Sequence, residues 1–113
     1  MDNTKPAVAL AVRRDDGMNK TEAAYADRLS LLQRSGEILS FAFEPIKLRL
    51  GKACWYTPDF MVVNAAGEIE FHEVKGFWRD DARVKIKAAA HAYRPFRFIA
   101  AQLVRREWKF EEF

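Results

Sequence analysis

Cysteine is almost missing from this chain: Cys54 is the only one in 113 residues. No internal disulfide and no cysteine-rich zinc site can therefore hold the fold together, and a lone thiol suits a reducing cytoplasm. Long apolar runs are missing too. The longest, Ala7 to Val12, has six residues, against about 20 for a membrane span, and it precedes a basic pair rather than following one. Neither a transmembrane helix nor a secretory signal is expected, and no membrane partner. Internal repeats and low-complexity tracts are lacking. Half the residues are hydrophobic and 31% are charged, a balance that argues against general disorder. At this length the expectation is one globular domain, without separate catalytic and regulatory domains.

One absence is local. From Arg83 to Arg106 there is no Asp or Glu, while Arg83, Lys85, Lys87, Arg94, Arg97, Arg105 and Arg106 put seven positive charges into 24 residues. The net charge is only +3, so the folded domain should have a basic side and a more acidic side, as a polyanionic partner would require.

Residues 1–17 show no sustained period and read as an arm or edge segment ahead of a domain spanning 18–113. Asn19-Lys20-Thr21-Glu22 has the form of a capping box, with Asn19 as N-cap and Glu22 at the third helical position. The helix should run to about Ser35 and stop at Gly36. Tyr25, Leu29 and Leu32 share its apolar face, with Glu22 on the N-terminal edge of that face. Strand-like runs follow at Ile38 to Glu44, Ile46 to Leu50 and Trp55-Tyr56, punctuated by Pro45, Gly51 and Pro58, and read as consecutive antiparallel strands. Asp59 to Asn64 and Glu68 to Lys75 form the clearest hairpin, joined by Ala65-Ala66-Gly67, a three-residue loop with Gly for the left-handed position. A second helix is expected over Asp80 to Tyr93 and a last strand over Phe96 to Val104.

The hairpin's register carries the chemistry. With Asn64 opposite Glu68, Val63 faces Ile69, Met61 faces Phe71 and Asp59 faces Glu73. Lys75 lies on the same face beyond Glu73, whereas Glu70, His72 and Val74 point the other way. Two opposed carboxylates, with Cα atoms about 4.5–5.5 Å apart, repel unless a positive charge sits with them. A divalent cation meets that need. Magnesium or manganese suits hard oxygen ligands better than zinc does: the two carboxylates, a backbone carbonyl such as that of Val74, water and substrate phosphate. Lys75 beside it would stabilise an anionic transition state.

Pro58-Asp59, followed after 13 residues by Glu73-Val74-Lys75, resembles the signature of the PD-(D/E)xK nuclease superfamily. The wider segments Trp55-Tyr56-Thr57-Pro58-Asp59-Phe60 and His72-Glu73-Val74-Lys75-Gly76-Phe77-Trp78 are similar to a family of small phage and prophage proteins assigned to it. The resemblance runs from Met18 to Phe113. It implies an α/β, restriction-endonuclease-like αβββαβ core with a mixed central sheet flanked by helices. It also implies a magnesium-dependent or manganese-dependent endonuclease acting on DNA in the cytoplasm of a bacterial host. Asp59 and Glu73 would bind metal, Lys75 would position or activate water, and Glu22 would be an auxiliary acid. Taken singly, each residue has a plainer reading: Glu22 as a cap, Asp59 as a strand-start residue, Glu73 and Lys75 as a surface ion pair.

On the second helix, Ala82, Ile86, Ala89 and Tyr93 form an apolar stripe. Arg83, Lys87, Arg94 and, more loosely, His91 form another row. With Arg79 ahead of it, that basic row is expected close to the acids, contacting phosphates without reading bases. A non-catalytic nucleic-acid-binding module on the same scaffold is the alternative. Trp78 should stack on a base or pack under the helix, His72 should face away from Glu73, His91 should lie on the surface, and Cys54 should be a small buried hydrophobe. Trp108, Phe110 and Phe113 should bring the C-terminal tail back onto the domain or onto a second subunit. A homodimer would allow both strands of a duplex to be cut.

Overall fold

The computed structural model describes residues 17–78 and 80–113, so Arg79 and all but Gly17 of the expected N-terminal arm lie outside the described residues. In chain order the elements are α1 (Lys20–Arg34), β1 (Ile38–Phe43), β2 (Leu48–Gly51), β3 (Cys54–Tyr56), β4 (Phe60–Asn64), β5 (Ile69–Lys75), α2 (Asp80–Ala92), β6 (Arg97–Val104) and β7 (Glu107–Glu112).

The capping box opens α1 as its residues dictate. The Asn19 side chain accepts from the Glu22 N–H at 2.8 Å, and the Asn19 N–H donates to Glu22 Oε1 at 3.0 Å. At the other end Gly36 takes φ +84°, the left-handed geometry that glycine adopts without steric cost. The β4–β5 hairpin also follows its turn chemistry. Asn64 Oδ1 accepts from the N–H groups of Ala66 and Glu68, and Gly67 supplies φ +85°. Met61 opposes Phe71 and Val63 opposes Ile69, the register expected from the loop.

The fold is α/β, with a mixed five-stranded sheet in the order β1-β4-β5-β6-β7. Only β5 and β6 pair in parallel, with α2 as the crossover between them; the other neighbours are antiparallel. Alternation along β5 sends successive side chains to opposite faces. One face carries Val62, Val74 and Ala101 against Tyr25, Ala26 and Leu29 of α1. The other carries Phe71, Phe98 and Ala100 against Ile86 and Ala89 of α2. Phe60 and Phe98 are fully buried, and burying a side chain of this size stabilises the fold by about 1.5–3 kcal/mol.

Three expectations need correction. The runs before β4 do not form a meander: β1 pairs with β4, and β2 and β3 make a separate two-stranded sheet. This pairing lets β1 cover the flank of β4 over α1, while β2–β3 packs Leu48 and Tyr56 into the α2 side. The excursion is closed at its base, where the Glu44 N–H donates to the Asp59 carbonyl at 2.8 Å and Phe43 is the register partner of Phe60. Second, β6 is not the last strand. The tail returns through Arg105-Arg106 as β7, and Trp108 packs against the α1 core. Third, Cys54 is exposed. It lies where the β2–β3 register shifts opposite Gly51, beyond the short buried face of that hairpin.

Candidate active site

Pro58 and the start of β4 bring Asp59 to the end of the sheet where β5 delivers Glu73 and Lys75. Both carboxyl groups are buried, with residue exposures of 6% and 8%. Asp59 Oδ2 accepts from the Val74 N–H at 2.8 Å, and the Asp59 N–H lies 3.4 Å from Glu73 Oε1. Lys75 Nζ is 3.1 Å from Glu73 Oε2. The three residues that sequence spacing placed on one strand face therefore do meet.

Their electrostatics follow from burial. Loss of water, and then the neighbouring Glu73 charge, push the Asp59 carboxyl up to about 8, although the Val74 N–H and Lys75 pull the other way. Partial burial works against the Lys75 ammonium, but Glu73, Asp59 and Glu22 outweigh it and raise its pKa. Glu44, at the end of β1, is raised as well, by desolvation and then by Glu22 and Glu73. Glu22 thus fills its cap at the N-terminus of α1 and also adds charge to the acid group. The sheet end is an anionic site in which a cation lowers the energy of every carboxylate present.

A cleft of about 400 Å³ opens beside these groups, lined by Tyr56, Thr57, Glu73, Lys75, Asp81, Ala82 and Lys85. Tyr56, Thr57, Asp81 and Lys85 of this lining were not singled out from sequence, and the first and last of them bear on the site. The Tyr56 hydroxyl donates to Glu73 Oε1 at 2.6 Å, and burial followed by the Glu73 charge raises its pKa. Tyr56 sits next to the Trp-Tyr-Thr-Pro-Asp run, but only the docking of β2–β3 shows that it reaches Glu73. Lys85 was visible only as one of the seven cations. It sits one residue before Ile86 of the apolar stripe, and among the described residues of α2 it is the cation that borders the cleft.

The expected basic row is elsewhere. Arg83 makes a two-pronged ion pair with Glu111 of β7, with distances of 3.0 and 2.7 Å, and its guanidinium lies over Trp78 and Phe113. Lys87 and Arg94 line a separate groove with His91, Glu111, Glu112 and Phe113. The expectation that this row flanks the acids is thus corrected for Arg83, Lys87 and Arg94: Glu111 of β7 holds Arg83, the other two line the second groove, and none of the three borders the cleft beside Glu73 and Lys75. Trp78 packs into the α2 core. His72 faces α1, where its Nδ1 is 2.6 Å from the Tyr25 hydroxyl and its Nε2 is 2.9 Å from Glu70 Oε1. Because a carboxylate only accepts, Nε2 carries a proton.

Among the described residues, no three His, Cys, Asp or Glu side chains converge as a ready-made metal cage. A magnesium ion does not need one: it is commonly held by one or two carboxylates, with waters and substrate phosphates completing its shell. Asp59, Glu73 and the Val74 carbonyl supply hard oxygens of the type it prefers, so the residues present fit such an ion. No helix among the described residues is long and apolar enough to cross a membrane. Comparison of the chain with known protein families, with curated proteins and with solved structures finds no match.

Proposed function

We propose that the chain is a metal-dependent endonuclease that hydrolyses DNA phosphodiesters, with a restriction-endonuclease-like core of the PD-(D/E)xK type. The observation that carries this reading is the meeting of buried Asp59, buried Glu73 and Lys75 at one strand end, beside an open cleft. Asp59, Glu73 and the Val74 carbonyl would hold Mg2+ or Mn2+, which when bound supplies positive charge against the charge developing on the phosphodiester. Lys75 stays protonated next to Glu73, orients the attacking water and stabilises the anionic transition state. After Glu73 and Asp59, Glu22 adds to the charge that keeps that lysine protonated, and it is the candidate for an outer acid. Lys85, across the cleft, draws in the backbone phosphate by charge.

The test is cleavage of branched, single-stranded and duplex DNAs in magnesium, manganese or EDTA, by the native chain and by Asp59→Ala and Lys75→Ala. Products are expected only with metal, and each variant should lose about 100-fold or more in rate, with its circular dichroism unchanged. Undiminished metal-dependent cleavage by both variants would overturn the assignment. Salt-sensitive DNA binding without cleavage of any substrate would favour a non-catalytic binding module instead. Such a module would use the Tyr56–Glu73–Lys75 contacts only as structural satisfaction of a buried acid.

A further inference from the structure

We infer that the β2–β3 hairpin is a binding surface for single-stranded nucleic acid, with Trp55 as its stacking platform. From Pro45 to Thr57 the chain carries Lys47, Arg49 and Lys52 and no acid. All three cations are exposed. Arg49 and Trp55 are direct cross-strand partners, so they project on one face of the hairpin, while Leu48 and Tyr56 project on the other and are buried. The hairpin thus separates its roles. Its inner face docks on the domain, through Tyr56 on Glu73 and through the Tyr93 hydroxyl on the Arg49 carbonyl at 2.7 Å. Its outer face presents an indole that is 51% exposed, with Arg49 as its cross-strand neighbour.

This combination selects its partner. Large aromatic side chains are normally withdrawn from water, and an exposed indole with Arg49 opposite it, on a segment that also carries Lys47 and Lys52, offers a π-face to a base and charge to the neighbouring phosphates. A duplex keeps its bases stacked inside and presents none to an isolated indole, so an unpaired strand is the form that uses both features. Tyr56 follows Trp55 directly and lines the cleft, so the hairpin that presents the indole on its outer face also walls the cleft with its inner one. As a statement about substrate, that the DNA cut at the cleft carries a single-stranded stretch, the inference rests on the hydrolytic reading above. The surface itself is tested without cleavage.

The measurement is fluorescence anisotropy, in EDTA, of a labelled oligothymidylate of about 20 nucleotides and of a duplex of equal length. The native chain is compared with Trp55→Ala, Trp55→Phe and the double variant Lys47→Ala/Lys52→Ala. Trp55→Ala should weaken oligothymidylate binding by about 10-fold, within the range for loss of one stacked base, while Trp55→Phe retains most of it. Duplex affinity should not change. The double lysine variant should reduce the slope of log affinity against log salt by about 1.4, the value for two single-strand phosphate contacts. Native-like oligothymidylate binding by Trp55→Ala, or no binding by the native chain at low salt, would overturn the inference. Weakened binding by Trp55→Ala together with no cleavage by the native chain in magnesium would leave this surface standing and remove the hydrolytic reading. Cleavage by the native chain with native-like binding by Trp55→Ala would do the reverse.

Discussion

A buried carboxyl that holds its proton to about pH 8 makes the stability of the whole domain depend on pH. Between 3.8, the ordinary value for an Asp, and about 8 in the folded chain, the native state keeps a proton on Asp59 that the unfolded state releases. Stability therefore falls as pH rises through that window and levels off above it. Asp59→Asn keeps an acceptor for the Val74 N–H and removes the titration. Its thermal midpoint should match that of the native chain near pH 4 and exceed it by several degrees at pH 8, since about 1 kcal/mol moves a domain of this size by roughly 4–8 °C. Melting curves displaced equally at all pH values would contradict this origin. At this scale Asp59, Glu73 and Lys75 were legible because a strand's two-residue period and a short loop dictate their register. Tyr56 and Lys85 were not, because their places depend on how separate elements dock.

The first turn of α1 gives Glu22 two roles that one substitution separates. Glutamine at the third position can still accept from the Asn19 N–H, so Glu22→Gln preserves the cap but removes the charge that reaches Asp59, Glu44 and Lys75. Its stability should stay within about 0.5 kcal/mol of the native chain, whereas Asn19→Ala should cost about 1 kcal/mol. Metal-dependent cleavage should fall in Glu22→Gln; a native-like rate would leave Glu22 as a cap and nothing more. Both ends of α1 could be read from local chemistry, Asn19 at one and Gly36 at the other. The strand β7 could not. Its apolar residues are spaced among Glu107, Lys109, Glu111 and Glu112, and its turn is built from Arg105 and Arg106. Both adopt φ values, 51° and 69°, that the turn signals Gly and Asn would have announced.

Across the molecule a polar chain runs from edge strand β7 through β6 and β5 to α1. Arg97 grips Glu112 of β7 and reaches Glu70 of β5 at 3.0 Å; Glu70 holds His72, and His72 meets Tyr25 of α1. The His72 hydrogen bond is the main cause of the lowered pKa of Glu70, with burial opposing it and Asn64 and Arg97 assisting. A lowered carboxylate contributes stability that is present above its unfolded value and lost as pH falls through the folded one. Arg97→Ala should thus cost about 0.5–1 kcal/mol at pH 7, because its guanidinium is nearly half exposed, and clearly less at pH 3, measured by thermal unfolding. An equal loss at both pH values would show that Arg97 acts through packing alone.

The base of the β2–β3 hairpin has a consequence of another kind. The chain leaves the sheet at Glu44 and returns at Asp59, and these two residues already touch, N–H to carbonyl. Fourteen residues therefore form a closed excursion, entered and left at a single point and fastened by Tyr56 and Tyr93. Away from Tyr56, which holds Glu73, a cassette mounted in this way can change length or composition without moving β1 relative to β4. The proposed stacking platform, Trp55, lies within this cassette, and the proposed metal ligands, Asp59 and Glu73, lie outside it.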